Sequence, residues 1–125
     1  MIIFWEPACG QGHLARVFDD HDFTVLATDK IYRGYGVGGI DFLNTNLRFD
    51  GDVVTNPPFS LAQQFVEHAL QLVTDGSKVC MLLRVQFLES KARKDFFAKY
   101  LPKTVWISSS RIDCGKNGDL QEQIA

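Results

Sequence analysis

Short apolar runs alternate with helix-periodic segments along almost the whole chain, and that alternation limits the fold more than any other feature. Ile2-Ile3-Phe4-Trp5 is a strand-length run, after which Leu14, Val17 and Phe18 recur at helical spacing. Residues 23–27 form a second run, and Asp52-Val53-Val54-Thr55 a third. Ser60-Leu61-Ala62-Gln63 reads as a capping box, in which the serine and glutamine side chains exchange hydrogen bonds with backbone amides. It opens a helix whose expected stripe is Leu61, Phe65, Val66, Ala69, Leu70 and Val73. Residues 78–83 are nearly continuous apolar, as a strand buried on both faces should be. A third helix starts at Ser90, with Ala92, Phe96, Phe97, Tyr100 and Leu101 expected inward and Lys91, Arg93, Lys94 and Lys99 outward; Thr104 to Ile107 reads as a last strand.

Strands and helices in alternation with short connections predict an α/β fold with a mainly parallel sheet covered on both faces. A chain of 125 residues, 46% hydrophobic, has room for one domain around a single core and none for a separate second domain. Charge is unevenly spread: residues 1–62 hold 4 Lys and Arg against 8 Asp and Glu, and residues 63–125 hold 9 against 7. A polyanionic partner, if there is one, would meet the second half, although ordinary solvated faces are the better account of so small an imbalance. Cys9, Cys80 and Cys114 are far apart and odd in number, and no histidine stands at metal-ligand spacing from them, so neither a disulfide framework nor a zinc site is expected. His13, His21 and His68 are expected to be structural or surface residues. The first residues carry no basic or long apolar segment, which predicts a soluble, cytoplasmic protein with no membrane partner.

In parallel sheets of this kind ligands bind beyond the C-terminal ends of the strands, so the segments that follow each run are the places to look. After the first comes Glu6-Pro7-Ala8-Cys9-Gly10-Gln11-Gly12. Glycines there let the backbone turn sharply and approach a ligand, and the helix they open presents unpaired amides. The pattern also fits a dinucleotide-binding loop, with Asp29 roughly 20 residues on, or a mere tight turn. A carboxylate at Glu6 suits a cation or hydroxyl better than a pyrophosphate. After the second run, Asp29 can accept from both hydroxyls of a ribose, and four glycines between Gly34 and Gly39 point to a loop. Tyr32 and Tyr35 on that loop suit packing or base contact equally. Asp41-Phe42 sets a carboxylate beside a flat ring, which would serve an adenine or else a short strand with one exposed acid.

Asn56-Pro57-Pro58-Phe59 follows the third run, and that run should lie beside the first, across the point where strand order reverses. Prolines lack N–H groups and fix φ, which leaves neighbouring carbonyls as acceptors. The Asn56 amide oxygen and the Pro57 carbonyl could accept both hydrogens of a planar amine, freeing its lone pair, while Phe59 stacks on the ring.

Together these motifs resemble the S-adenosylmethionine-dependent amino-methyltransferases, above all the small bacterial and phage N6-adenine DNA methyltransferases. The resemblance runs from Trp5 to about Arg111, and Asn-Pro-Pro-Phe is its most specific part. It implies a Rossmann-like class I three-layer α-β-α sandwich and direct transfer of a methyl group from S-adenosylmethionine to adenine N6 in DNA. In that scheme Glu6, Pro7, Ala8, Cys9, Gly10 and Gly12 line the methionine part of the cofactor, Asp29 the ribose, and Asp41 with Phe42 the adenine, with Lys30 also at the cofactor. Asn56, Pro57, Pro58 and Phe59 form the catalytic group, with Asn56 also near the cofactor. Cys9 contributes shape and not a nucleophile, and no metal is required.

Members of that family carry a helix upstream of the first motif and a final strand, and this sequence begins and ends too close to its motifs to supply them. The expectation is a truncated form, or a homodimer in which a second copy completes the site. Arg84, Lys91, Arg93, Lys94, Lys99, Arg111 and Lys116 are enough for a modest DNA-facing patch, and equally for a solvated face. Methylation of guanine N2 in RNA or of a protein glutamine are alternatives within the same chemistry. An NAD-binding oxidoreductase fits the glycine loop but leaves Asn-Pro-Pro-Phe without a purpose, and an inert fragment that keeps only the fold is the remaining alternative.

Overall fold

The computed structural model describes residues 3–109 of the chain. It is an α/β arrangement with four strands, β1 (Ile3–Glu6), β2 (Thr24–Ala27), β3 (Asp52–Thr55) and β4 (Val79–Met81). Three helices accompany them, α1 (His13–Asp20), α2 (Ala62–Leu72) and α3 (Lys94–Lys99). The sheet is all parallel with order β2-β1-β3-β4, compatible with a Rossmann-like fold. Strand order reverses at β1: the chain leaves it for β2 on one side, then crosses back to place β3 on the other.

β1 explains how the layers are held. Successive side chains of a strand face opposite ways, and here Phe4 and Trp5 serve different faces. Phe4 stacks on Phe18 of α1 with centroids 5.0 Å apart and meets Phe23 edge-on. Trp5 joins the main core, in which Phe42, Val53, Phe65, Ala69, Leu72 and Val73 are all buried. Edge-on and tilted aromatic pairs run from Trp5 through Phe42 to Phe65, each worth about 0.5–1.5 kcal/mol beyond burial alone. Trp5 also donates its indole N–H to the buried Thr28 hydroxyl at 2.9 Å, so the polar atom of a core residue is satisfied at the end of β2.

Several sequence expectations need correction. No capping box forms at Ser60. Pro58 starts a 3-10 turn over Phe59–Leu61, with the Leu61 amide bonded to the Pro58 carbonyl at 3.0 Å, so Leu61 occupies the N-cap of α2 without a side-chain bond. The stripe of α2 is rotated accordingly. Ala62, Phe65, Ala69 and Leu72 are buried, whereas Leu61 and Leu70 are exposed. β4 covers three residues and is the sheet edge, so Cys80 is exposed and the strand is not buried on both faces. The segment from Ser90 winds as a 3-10 turn before α3. Phe96 is buried against Phe87 and Ala62, while Ala92 and Leu101 are exposed. Residues 104–107 form no strand, and Trp106 is almost fully exposed. Cys114, Arg111 and Lys116 lie outside the described residues.

Candidate functional site at the strand-order reversal

The glycine loop leaves β1 and Asn56-Pro57-Pro58-Phe59 leaves β3, and these strands are paired neighbours, Phe4 with Asp52 and Trp5 with Val53. Both motifs therefore emerge at the same end of the sheet, where ligands of open parallel sheets bind.

Glu6 ties the two motifs together from below. It is 3% exposed, and its carboxylate accepts the Ala8 amide at 3.1 Å and the backbone amide of Asn56. The buried Thr55 hydroxyl approaches the same carboxylate without closing a well-formed hydrogen bond. Burial pushes the Glu6 carboxyl up to about 7, opposed by these donors and reinforced by the nearby negative charge of Asp29. Glu6 and the fully buried Pro7 are thus supports beneath the loop. The expectation of a carboxylate at the mouth, with both residues lining the cofactor, is corrected: the side chain turns inward because Ala8 and Asn56 offer it amides there.

Asp29 holds the loop from the side of β2. One carboxylate oxygen accepts the Gly10 amide at 2.9 Å and the other the Ile31 amide at 3.1 Å. The Cys9 amide bonds the Thr28 carbonyl at 2.9 Å, closing the same junction. Gly10 has φ +54°, and a Cβ there would stand in open space, so the backbone at this point is open to a ligand. Gly12 differs: with φ +89° it caps α1, and a Cβ on it would overlap the Tyr35 ring. Tyr35 is in turn covered by the Arg16 guanidinium, 4.8 Å from its centroid, which identifies it as a packing residue. The loop that carries it is closed at its base by the Thr28–Val37 bridge. The Cys9 thiol points at the Tyr35 carbonyl at 3.6 Å. Burial first, then the charges of Glu6 and Asp29, push it up to about 11, so it stays protonated and non-nucleophilic at neutral pH.

Lys30 and Asp41 meet at 3.8 Å, side by side on the rim. Asp41 also caps a 3-10 turn over Phe42–Asn44, accepting the Leu43 amide at 3.2 Å. Phe42 is 1% exposed, wedged among Trp5, Phe65 and His68. Its expected role as a stacking platform for adenine is corrected, because no ring face is left for a ligand.

On the β3 side Asn56 is half-buried, Pro57 buried and Pro58 exposed. The Pro58 carbonyl is engaged by Leu61, so of the proline acceptors only that of Pro57 remains a candidate for a substrate amine. Phe59 is 48% exposed, and the Arg84 guanidinium lies 4.1 Å from its centroid. Sequence reasoning placed Arg84 in a diffuse basic patch and gave no signal for this pairing, since the two residues stand on separate turns after β3 and β4. Thr28 and Thr55 were likewise not foreseen as parts of the site.

Comparison with family models, with curated proteins and with solved structures finds no match to this chain.

Proposed function

We propose that the crevice at the strand-order reversal binds S-adenosylmethionine and directs its methyl group to an exocyclic amino group, foremost adenine N6 in DNA. The observation that supports this reading is the pairing of β1 with β3, which brings the glycine loop, with its open backbone at Gly10, and Asn56 to the same end of the sheet. The open backbone at Gly10 and the carboxylate of Asp29 would hold the cofactor, with Lys30 and Asp41 on the rim. The bound cofactor supplies an electrophilic methyl group on a sulfonium. The side-chain oxygen of Asn56 and the Pro57 carbonyl accept the two hydrogens of the amine and so localise its lone pair for attack. Phe59 stacks on the base and holds it in place. Glu6 takes no proton from the substrate in this scheme: the N–C bond would form as the S–CH3 bond breaks, S-adenosylhomocysteine would leave as the neutral thioether and the ammonium proton would pass to solvent, while Glu6 ties the two motifs together.

Titration calorimetry with S-adenosylmethionine and S-adenosylhomocysteine, with NAD as control, tests the reading. Micromolar binding of the first two and none of NAD is expected, followed by methylation of adenine-containing DNA that Asn56→Ala abolishes while cofactor affinity stays within a few-fold. Binding of neither sulfur nucleoside would overturn it.

A further inference from the structure

Arg84 lies three residues beyond the end of β4 and is exposed. Its guanidinium rests 4.1 Å from the centre of Phe59, the residue assigned above to the substrate base. A second arginine makes the contrast. Arg93 also covers an aromatic ring, that of Phe87 at 4.1 Å, but Phe87 is buried and Arg93 donates to its carbonyl at 3.3 Å, so that pair is internal packing. Phe59 is half exposed, and among the described residues no carboxylate pairs with Arg84. A stacked guanidinium keeps its planar fork of donors while losing little freedom when it binds an anion, and that fork matches a phosphate.

The surroundings favour the same ligand. Leu61 on the Phe59 turn and Val85 and Leu88 on the Arg84 turn are exposed apolar side chains. From Arg84 to Lys103 the chain carries six basic residues against two acidic. An exposed ring, an apolar rim and a cation on a basic edge are the elements with which proteins hold unstacked bases on a charged strand. A glutamine side chain would need the ring and amide acceptors but would bring no fixed anion to Arg84.

We propose that Arg84 binds the phosphate adjoining the nucleotide whose base stacks on Phe59. The proposal rests on the methyltransferase reading of the crevice. Its test needs neither cofactor nor turnover, so the two can fail separately.

The experiment is fluorescence anisotropy of a labelled adenine-containing DNA strand of about a dozen nucleotides, and of the RNA of the same sequence, between about 50 and 200 mM salt. Wild type, Arg84→Met, Arg84→Lys and Arg48→Met are compared; Arg48 lies just before β3, at the opposite sheet end, beside Asp75 at 3.7 Å. Arg84→Met should weaken binding several-fold and lower the slope of log affinity against log salt by about 0.7, the value for one phosphate on a single strand. Arg84→Lys should keep that slope at reduced affinity, and Arg48→Met should match wild type. A preference for DNA over RNA or the reverse would identify the sugar. An unchanged slope in Arg84→Met, or no binding of either strand by the wild type, would overturn the proposal.

Discussion

The Gly10 amide donates to a carboxylate oxygen of Asp29 at 2.9 Å, fastening the loop after β1 to the end of β2. Asp29 therefore has a structural task as well as the ribose contact proposed for it. Asp29→Ala removes the acceptor of two amides, Gly10 and Ile31, and should lower stability by about 1–3 kcal/mol. It should also weaken S-adenosylhomocysteine binding by a similar free energy. Urea denaturation and calorimetry on the same variant measure the two losses; wild-type stability would show that solvent replaces the acceptor without cost.

Glu6 makes stability depend on pH in an unusual direction for a carboxyl. Its native value is raised from 4.5 to about 7, so the folded chain holds a proton that the unfolded chain has released. The resulting contribution is fully present below pH 4.5 and is lost as pH rises to about 7, by on the order of 3 kcal/mol. Glu6→Gln keeps the shape and removes the titration. The difference in unfolding free energy between Glu6→Gln and wild type should widen in favour of the variant from pH 5 to pH 8. A constant difference across that range would place the proton elsewhere.

Gly12 combines a left-handed φ of +89° with a steric contact to Tyr35, and the two can be separated. Gly12→Ala should cost about 1–2 kcal/mol for the backbone conformation and about 1–3 kcal/mol for the clash. In a Tyr35→Ala background only the first should remain. A double-mutant cycle by thermal or urea unfolding reads the coupling directly; strict additivity would mean that Tyr35 yields freely.

Phe42 fills the centre of the main core, so Phe42→Ala should destabilise the fold by about 3–5 kcal/mol. The milder Phe42→Leu should leave cofactor affinity within a few-fold of wild type. A large loss of cofactor affinity in a well-folded Phe42→Leu variant would return the ring to the binding site.

β3 was legible in the sequence to the residue, because Asp-Val-Val-Thr is closed by prolines that cannot continue a ladder. The adjacency of β3 to β1 followed from the usual topology of such sheets. What escaped depends on contacts between distant segments. Glu6 looks like a ligand-facing acid until the amides of Ala8 and Asn56 are known to reach it from inside. Phe42, an aromatic in an irregular stretch, has no periodicity to announce that it is core. The apolar runs at residues 78–83 and 104–107 look alike on paper, yet the first gives only a three-residue edge strand and the second none. Periodicity reports local preference, and neither a strand's place in the sheet nor its neighbours are local properties.

The order β2-β1-β3-β4 also governs how the chain assembles. β1 can find β2 after closing a loop of under 20 residues, but its other edge must wait for β3, more than 40 residues further along. Closing the longer loop carries the larger entropic cost, and pairing across it is the slower event. The two halves of the crevice therefore meet late in assembly, and the pocket exists only once β3 has docked. A substitution that weakens the β1–β3 seam should delay the appearance of the binding site more than the appearance of helical structure.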